Sequence, residues 1–320
     1  MNIFQIISEI EKVDPEVYER LDSRRSIFKH MSGMGQKLSA AALPLALGAV
    51  LNKAYAQTPA GAGVNDVLNF ALSLEYLEMY FYNKGQASTA LQAGFSTTNK
   101  ASLNLIMKDE QNHVTFLKSV LGAAAIADPG AAAFDFTGGK GSNAGPFADV
   151  FVNPATYLAV AQSLEDTGVR AYKGGAPLLM TNKVALTAAL NIHSVEARHA
   201  SRLRTMRRGG AMNDRASSVA STGNYSTSPK SWISGKDNGG ASPAQTAPIY
   251  DKGNNTGAPA GVTFEAEDNV TQGGVNLQTA LAALNIPAPA FSESFDEALD
   301  VTTVKTIART FVVTGNSFLA

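Results

Sequence analysis

The chain has 320 residues, 45% of them hydrophobic, which is enough for one large domain or two modest ones and too apolar for wholesale disorder. Its 26 basic and 27 acidic residues leave a net charge of −1, which argues against a protein that binds nucleic acid by neutralising phosphates. There is no cysteine, so disulfides, thiolate nucleophiles, iron–sulfur clusters and cysteine zinc sites are excluded, and only four histidines are left to serve any metal.

The first 56 residues read as an address. Ser23-Arg24-Arg25-Ser26-Ile27-Phe28-Lys29 carries paired arginines, two apolar residues and a lysine. From Leu38 to Leu51 runs a stretch of Leu, Ala, Val and Gly broken only by Ser39 and Pro44. It is shorter than the roughly 20 residues a membrane-spanning helix needs. Ala54-Tyr55-Ala56 then places small residues where a signal peptidase reads them. Residues 1–56 therefore resemble a twin-arginine export signal cleaved after Ala56. That resemblance implies passage through the twin-arginine export machinery to a bacterial periplasm or beyond. This route usually carries proteins already folded around a cofactor. Residues 1–22 add a helical pattern of their own (Ile3, Ile6, Ile7, Ile10) to which no role is assigned.

Residues 57–210 hold the main domain. After the lead-in 57–63, four long segments have helical periodicity. The first runs from Val64 to Lys84 and stops at Gly85. The second runs from Thr98, behind Ser96 and Thr97 as caps, to Leu121 before Gly122. The third starts at Asn153-Pro154, an Asn cap with proline in the first helical position, and ends at Lys173 before Gly174-Gly175. The fourth runs from Thr181 or Asn182 to Arg208, with arginines in its last turns to complement the helix dipole. Two short connections flank a long Gly/Ala-rich one, residues 123–152. This is the pattern of two helical hairpins joined by a crossover, an all-α four-helix bundle.

Residues 211–320 differ in texture. Residues 211–261 are rich in Ser, Gly, Asn and Thr and read as irregular surface chain anchored by Trp232, Ile233 and Tyr250. Two helical candidates follow, Asn276–Leu284, stopped by Pro287, and Asp300–Val312 with Asp300 as its cap. They are expected to pack on the bundle as a fifth element. Glu265 and Glu267 read as a solvated acidic turn.

The bundle segments contain five glutamates, Glu75, Glu78, Glu110, Glu165 and Glu196, and these fall on the apolar stripes rather than the wet faces. Each helix carries one near mid-length. Burying one carboxylate costs several kcal/mol, so four facing one another call for a pair of divalent cations between them, mutual protonation being the one cheap alternative. The second and fourth helices each add Glu-x-x-His, Glu110…His113 and Glu196…His199. Residues at i and i+3 share a helical face, so each pair offers an oxygen and a nitrogen to the same ion. The order Glu, Glu-x-x-His, Glu, Glu-x-x-His amounts to two copies of a helical hairpin.

This pattern resembles the ferritin-like di-metal carboxylate superfamily of ferritins, bacterioferritins, rubrerythrins and manganese catalases. The stretch from Leu68 to Tyr82 (LNFALSLEYLEMYFY) with Asp109-Glu110-Gln111-Asn112-His113 is similar to the exported, desiccation-related branch. Residues 264–272 and Phe295–Leu299 resemble it more weakly. The resemblance implies a ferritin-like four-helix bundle with an irregular C-terminal extension. It implies metal ligands at Glu75, Glu110, His113, Glu165, Glu196 and His199, with Glu110 and Glu196 bridging. Tyr82 and Tyr172, seven residues after the single glutamates, would each hydrogen-bond a ligand across the site. Glu78 could be a further ligand, a nearby acid or a surface residue, and His193 a ligand or a hydrogen-bonded core histidine. Arg198 and Arg202 are expected to pair with acids or face solvent, and Arg202, one turn beyond His199, could neutralise excess carboxylate charge.

The hard, oxygen-rich donor set suits two iron or manganese ions. The expected function is an exported oxidoreductase acting on O2 or H2O2 as a ferroxidase, peroxidase or catalase, in a monomer or small homo-oligomer. The alternatives are a non-enzymatic envelope protein for stress or desiccation, and an oxygenase with an apolar substrate pocket.

Overall fold

The computed structural model describes residues 63–209, 229–256, 258 and 262–319. Residues 1–56, read above as an export signal, lie outside them. No helix among the described residues is long and apolar enough to cross a membrane.

Four long helices form the bundle: α1 (Val64–Ala87), α2 (Thr97–Leu121), α3 (Pro154–Gly175) and α4 (Lys183–Arg207). Three of their starts are capped by side chains, those of α2 and α3 as read from the sequence. Ser96 Oγ accepts from the Asn99 amide at 3.2 Å, Asn153 Oδ1 from Ala155 at 3.0 Å, and Asn182 Oδ1 from Ala185 at 3.0 Å. α1 pairs along its length with α2 and α3 with α4, and the two hairpins stack α1 on α3 and α2 on α4. A short helical turn, Thr89–Ala93, fills the first connection.

Two helices run past the glycines expected to stop them. α1 continues through Gly85, because a Cβ there would enter the Tyr157 ring. α3 continues through Gly174, where a Cβ would strike the carbonyl of Leu299. Both glycines serve close packing. Gly122, at φ +54°, does end α2.

The described part of the extension contains three helices, α5 (Pro243–Tyr250), α6 (Ala288–Glu293) and α7 (Val301–Ala308), with a two-stranded antiparallel ladder in which Thr271 faces Asn276 and Gln272 faces Val275. The expected helix Asn276–Leu284 is instead a turn, Leu277–Ala280, followed by a 3-10 turn, Ala282–Leu284. The expected Asp300–Val312 shortens to α7 and the 3-10 turn Arg309–Phe311, with Asp300 Oδ1 accepting from Thr303 at 2.9 Å. Helix α5, within the stretch read as irregular, carries Tyr250 into the core.

The extension covers a polar face of α3. Gln162, Ser163, Asp166, Thr167 and Arg170 would look solvated on the sequence alone, yet all are buried. Arg170 holds six partners from the extension. Nε bonds the Glu297 carbonyl at 3.0 Å and pairs with Glu267 Oε1 at 2.8 Å, while the two amino groups donate to the carbonyls of Ile249, Asp251, Glu265 and Ala298. Glu267 is thus buried against Arg170 and not the solvated acid expected; Glu265 meets Lys252 at the surface. Asp166 Oδ2 accepts from Arg204 Nη2 and from the Tyr250 hydroxyl, both at 2.6 Å, and Arg204 also pairs with Asp237. The crossover is ordered too. The Asp135 amide bonds the Phe311 carbonyl at 2.8 Å and the Val313 amide the Ala133 carbonyl at 3.0 Å, so the chain after α7 pairs with it in a short antiparallel bridge.

Candidate metal centre

Glu75 comes from α1, Glu110 and His113 from α2, Glu165 from α3, and Glu196 and His199 from α4. The helical repeat carries them inward because each lies on its helix's apolar stripe, between residues such as Leu72, Ile106, Ala161 and Ile192 that bury in the core. All four glutamates are 0% exposed, and the histidines are buried.

Their donor atoms form two overlapping groups: Glu75, Glu110, His113 and Glu196, and Glu110, Glu165, Glu196 and His199. Within each, one ligand atom per residue lies within 4.8 Å of the others. His113 Nδ1 is 3.1 Å from Glu75 Oε2 and from Glu110 Oε2, and 3.2 Å from Glu196 Oε1. His199 Nδ1 is 2.9 Å from Glu110 Oε1 and 3.2 Å from Glu165 Oε2. The imidazole centres are 6.4 Å apart. Glu110 and Glu196 are the members common to both groups.

The two tyrosines act across the hairpins. Tyr82 on α1 donates to Glu165 Oε1 on α3, and Tyr172 on α3 donates to Glu75 Oε1 on α1. On the far side of the His199 ring, Nε2 faces Asp109 Oδ2 at 3.2 Å. With the proton on Nε2, that contact leaves Nδ1 with a lone pair toward the carboxylates.

The electrostatics are those of acids crowded without countercharge. Burial and then the neighbouring Glu196 raise the Glu110 carboxyl to about 7. Burial followed by Glu165 lifts Glu196 well above the carboxylate range, and Glu165 is raised chiefly by burial. Burial alone would lower His199, yet the charges of Glu165 and Glu110 push it up to about 12. His113 moves upward likewise, with Glu110, Glu196 and Glu75 overcoming its burial.

Among the described residues, Glu110 Oε1, Glu165 Oε2, both oxygens of Glu196 and His199 Nδ1 are buried without a hydrogen-bond partner. The carboxyls of Glu165 and Glu196 interact, which without an ion requires one of them to carry a proton. Buried polar atoms are normally satisfied, so orphans converging from four helices fit bound cations. The donor set, carboxylate oxygen and imidazole nitrogen, has the chemistry of a di-metal site.

Glu78 and His193 stand outside both groups. His193 Nδ1 bonds the Val169 carbonyl at 3.0 Å. Glu78 is buried one turn beyond Glu75, and burial with the surrounding glutamates raises its carboxyl well above the usual range. The arginines of α4 do not neutralise the cluster. Arg202 donates to Ser102 and Asn99, and Arg198 to Ser194. Sequence reasoning missed Asp109. Its signal was available: it precedes Glu110, and so points to the neighbouring helix beside the stripe.

A family model described as a ferritin-like domain matches residues 63–208. Searches of the curated proteins and of the solved structures gave no significant match. Residues 63–208 thus match a ferritin-like domain, in agreement with the four-helix bundle and its buried Glu/His cluster.

Proposed function

We propose that the domain holds two iron or manganese ions and acts on O2 or H2O2, as a ferroxidase, peroxidase or catalase. The observation that carries this reading is the sharing of Glu110 and Glu196 by two buried ligand groups. In it, Glu75 and His113 complete one ion's set and Glu165 and His199 the other's. When bound, such a pair supplies two electrons at once to an O–O bond, or takes two from it.

The chain's own residues prepare that chemistry. Four carboxylates balance four positive charges. Tyr82 and Tyr172 fix the two single glutamates by donating to them, and Asp109 orients the His199 ring. Burial of the whole set excludes bulk water.

Residues 1–56 would direct the folded, loaded protein out of the cytoplasm. Conservative replacement of both Arg24 and Arg25 by lysine should retain the precursor inside, and the exported protein should begin at Gln57. The extension, packed over α3, favours a monomer or small homo-oligomer over a closed ferritin shell.

Elemental analysis of protein purified without added metal tests the core of this reading. About two iron or manganese per chain, lost in a Glu110→Ala/Glu196→Ala variant, is expected, and the dominant metal decides between oxidase and catalase assays. No metal in the wild type, with the variant equally stable, would leave the envelope scaffold as the function.

A further inference from the structure

Four of the five bundle glutamates belong to the paired groups. The fifth, Glu78, is 3% exposed, makes no side-chain hydrogen bond to the described residues, and faces open space rather than packed atoms. A buried carboxyl with nothing to bond is costly. Glu78 does not abut solid packing, however. It borders a cavity of about 10 Å³ walled by Leu74, Leu77, Leu164, Thr167, Ile307 and Ala308. The Thr167 hydroxyl already donates to the Ser163 carbonyl, so Glu78 is the main polar feature of that wall.

Gly168 forms the rest of the wall, mid-way along α3, where glycine costs about 1 kcal/mol against alanine. A Cβ at that position would stand 3.3 Å from Glu196 Oε2 and 3.4 Å from Glu78 Oε1. One bare stretch of backbone therefore lies between a carboxylate shared by both ligand groups and the unpartnered acid. The cavity has room for something the size of a water molecule and none for an organic substrate. Its remaining roof, Ile307 and Ala308, belongs to α7, so the pocket is incomplete without the C-terminal extension.

We propose that Glu78 and this cavity are a reactant pocket that holds one hydrogen peroxide molecule, or the water that replaces it, by hydrogen bonding to the Glu78 carboxyl beside Glu196. This deepens the di-metal reading and rests on it. The pocket's chemistry selects peroxide over dioxygen, because peroxide can both donate to and accept from the carboxyl.

The test has two arms. In the first, crystals of the metal-free protein are solved at high resolution before and after soaking in hydrogen peroxide. An ordered water on Glu78, replaced by peroxide on soaking and absent in Glu78→Leu, is expected. In the second, Glu78→Leu and Glu78→Gln are loaded with iron or manganese. Both should keep the wild-type ion content, while KM for peroxide rises in Glu78→Leu by about tenfold to a hundredfold, the worth of one hydrogen bond to an acid. Glu78→Gln should recover part of that loss, and the rate with O2 should not move.

An empty cavity in both wild-type crystals overturns the proposal, as does an unchanged peroxide KM in a fully loaded Glu78→Leu. Loss of one ion in Glu78→Leu also overturns it, since Glu78 would then be a ligand. If the wild type takes up no metal, the di-metal reading fails by itself, and the soaked metal-free crystal still decides whether the cavity binds peroxide.

Discussion

Tyr82 and Tyr172 sit where one atom changes the chemistry of the centre. Each phenol spans the hairpins to donate to a single-helix glutamate. Replacing either by phenylalanine keeps the ring packing and removes the donor. Groups that orient metal ligands in this way typically contribute 10- to 100-fold in affinity. Tyr82→Phe and Tyr172→Phe should each weaken metal binding by about that factor, measured by competition with a chromophoric chelator; affinity within twofold of wild type would show that the phenols only pack. The titration of the ion-free centre has a definite sign. Glu110, raised to about 7 by burial and Glu196, binds its proton more tightly folded than unfolded. Its contribution is complete below its unfolded value of about 4.3 and is lost as pH climbs toward 7. His199, raised to about 12 by its carboxylate neighbours against its own burial, contributes most below about 6.5 and progressively less above. Both terms point the same way, so the metal-free thermal midpoint should fall between pH 5 and 9 in scanning calorimetry. Bound ions should raise the midpoint and reverse the trend, because the ligands must be deprotonated to bind. A metal-free midpoint that climbs across this range would contradict the acid-crowded centre. At this scale the site was largely legible in the sequence. Glu-x-x-His fixes two donors on one helical face, and glutamate on an apolar stripe must point inward. The position of Glu78 was legible but its role was not, because the cavity beside it is closed by Ile307 and Ala308, more than 200 positions away in the chain.

At the level of elements, α3 shows why a polar face cannot be assigned to solvent from pattern alone. Its residues Gln162, Asp166 and Arg170 follow a helical spacing that suits an exposed surface, and periodicity does not say whether water or another segment covers them. The covering segment is held by backbone carbonyls, and carbonyls leave no mark in a sequence. Three extension segments, at residues 249–251, 265–267 and 297–298, converge on the single guanidinium of Arg170. Arginine suits this because its planar fork offers five donors at fixed angles. Removing it strands Glu267 and several carbonyls in the interior. Arg170→Ala should therefore destabilise the protein by about 3–5 kcal/mol, the range for breaking one side of a buried pair. The double variant Arg170→Met/Glu267→Leu should be less damaging than the sum of the singles, since no charge is left alone. Chemical denaturation of the wild type, Arg170→Met, Glu267→Leu and the double variant closes that cycle, and a strictly additive result would show that the pair does not couple. The two glycines that fail to stop their helices teach the same lesson in reverse. Gly85 and Gly174 look like terminators, but each marks a close approach by Tyr157 or Leu299. A glycine in a sequence announces missing volume without saying what fills it.

Considered whole, the molecule is a four-helix bundle whose third helix has been buried by the chain's own C-terminal third. The family match ends at residue 208, so the bundle is the recognisable part, but the structure does not treat it as self-sufficient. Phe136 and Phe147 of the crossover pack against Phe311, and Val160 and Leu164 of α3 share a cluster with Ile249, Val304 and Ile307. Deleting everything after residue 209 would uncover these apolar groups together, whereas Asp166, Arg170 and Arg204 would regain water and cost little. The hydrophobic loss should dominate. A protein of residues 57–209 should therefore still gather its ligands, since all six lie within it, but melt at a lower temperature and self-associate through the bared face of α3. Analytical ultracentrifugation against the chain of residues 57–320 measures this directly. Association of the truncated protein, with metal uptake preserved, would mean that the extension stands where other bundles place a subunit. A truncated protein that stays monomeric and melts with the full chain would mean that the extension merely decorates a complete bundle. In that case the roof over the Glu78 cavity would be its one remaining contribution to the site.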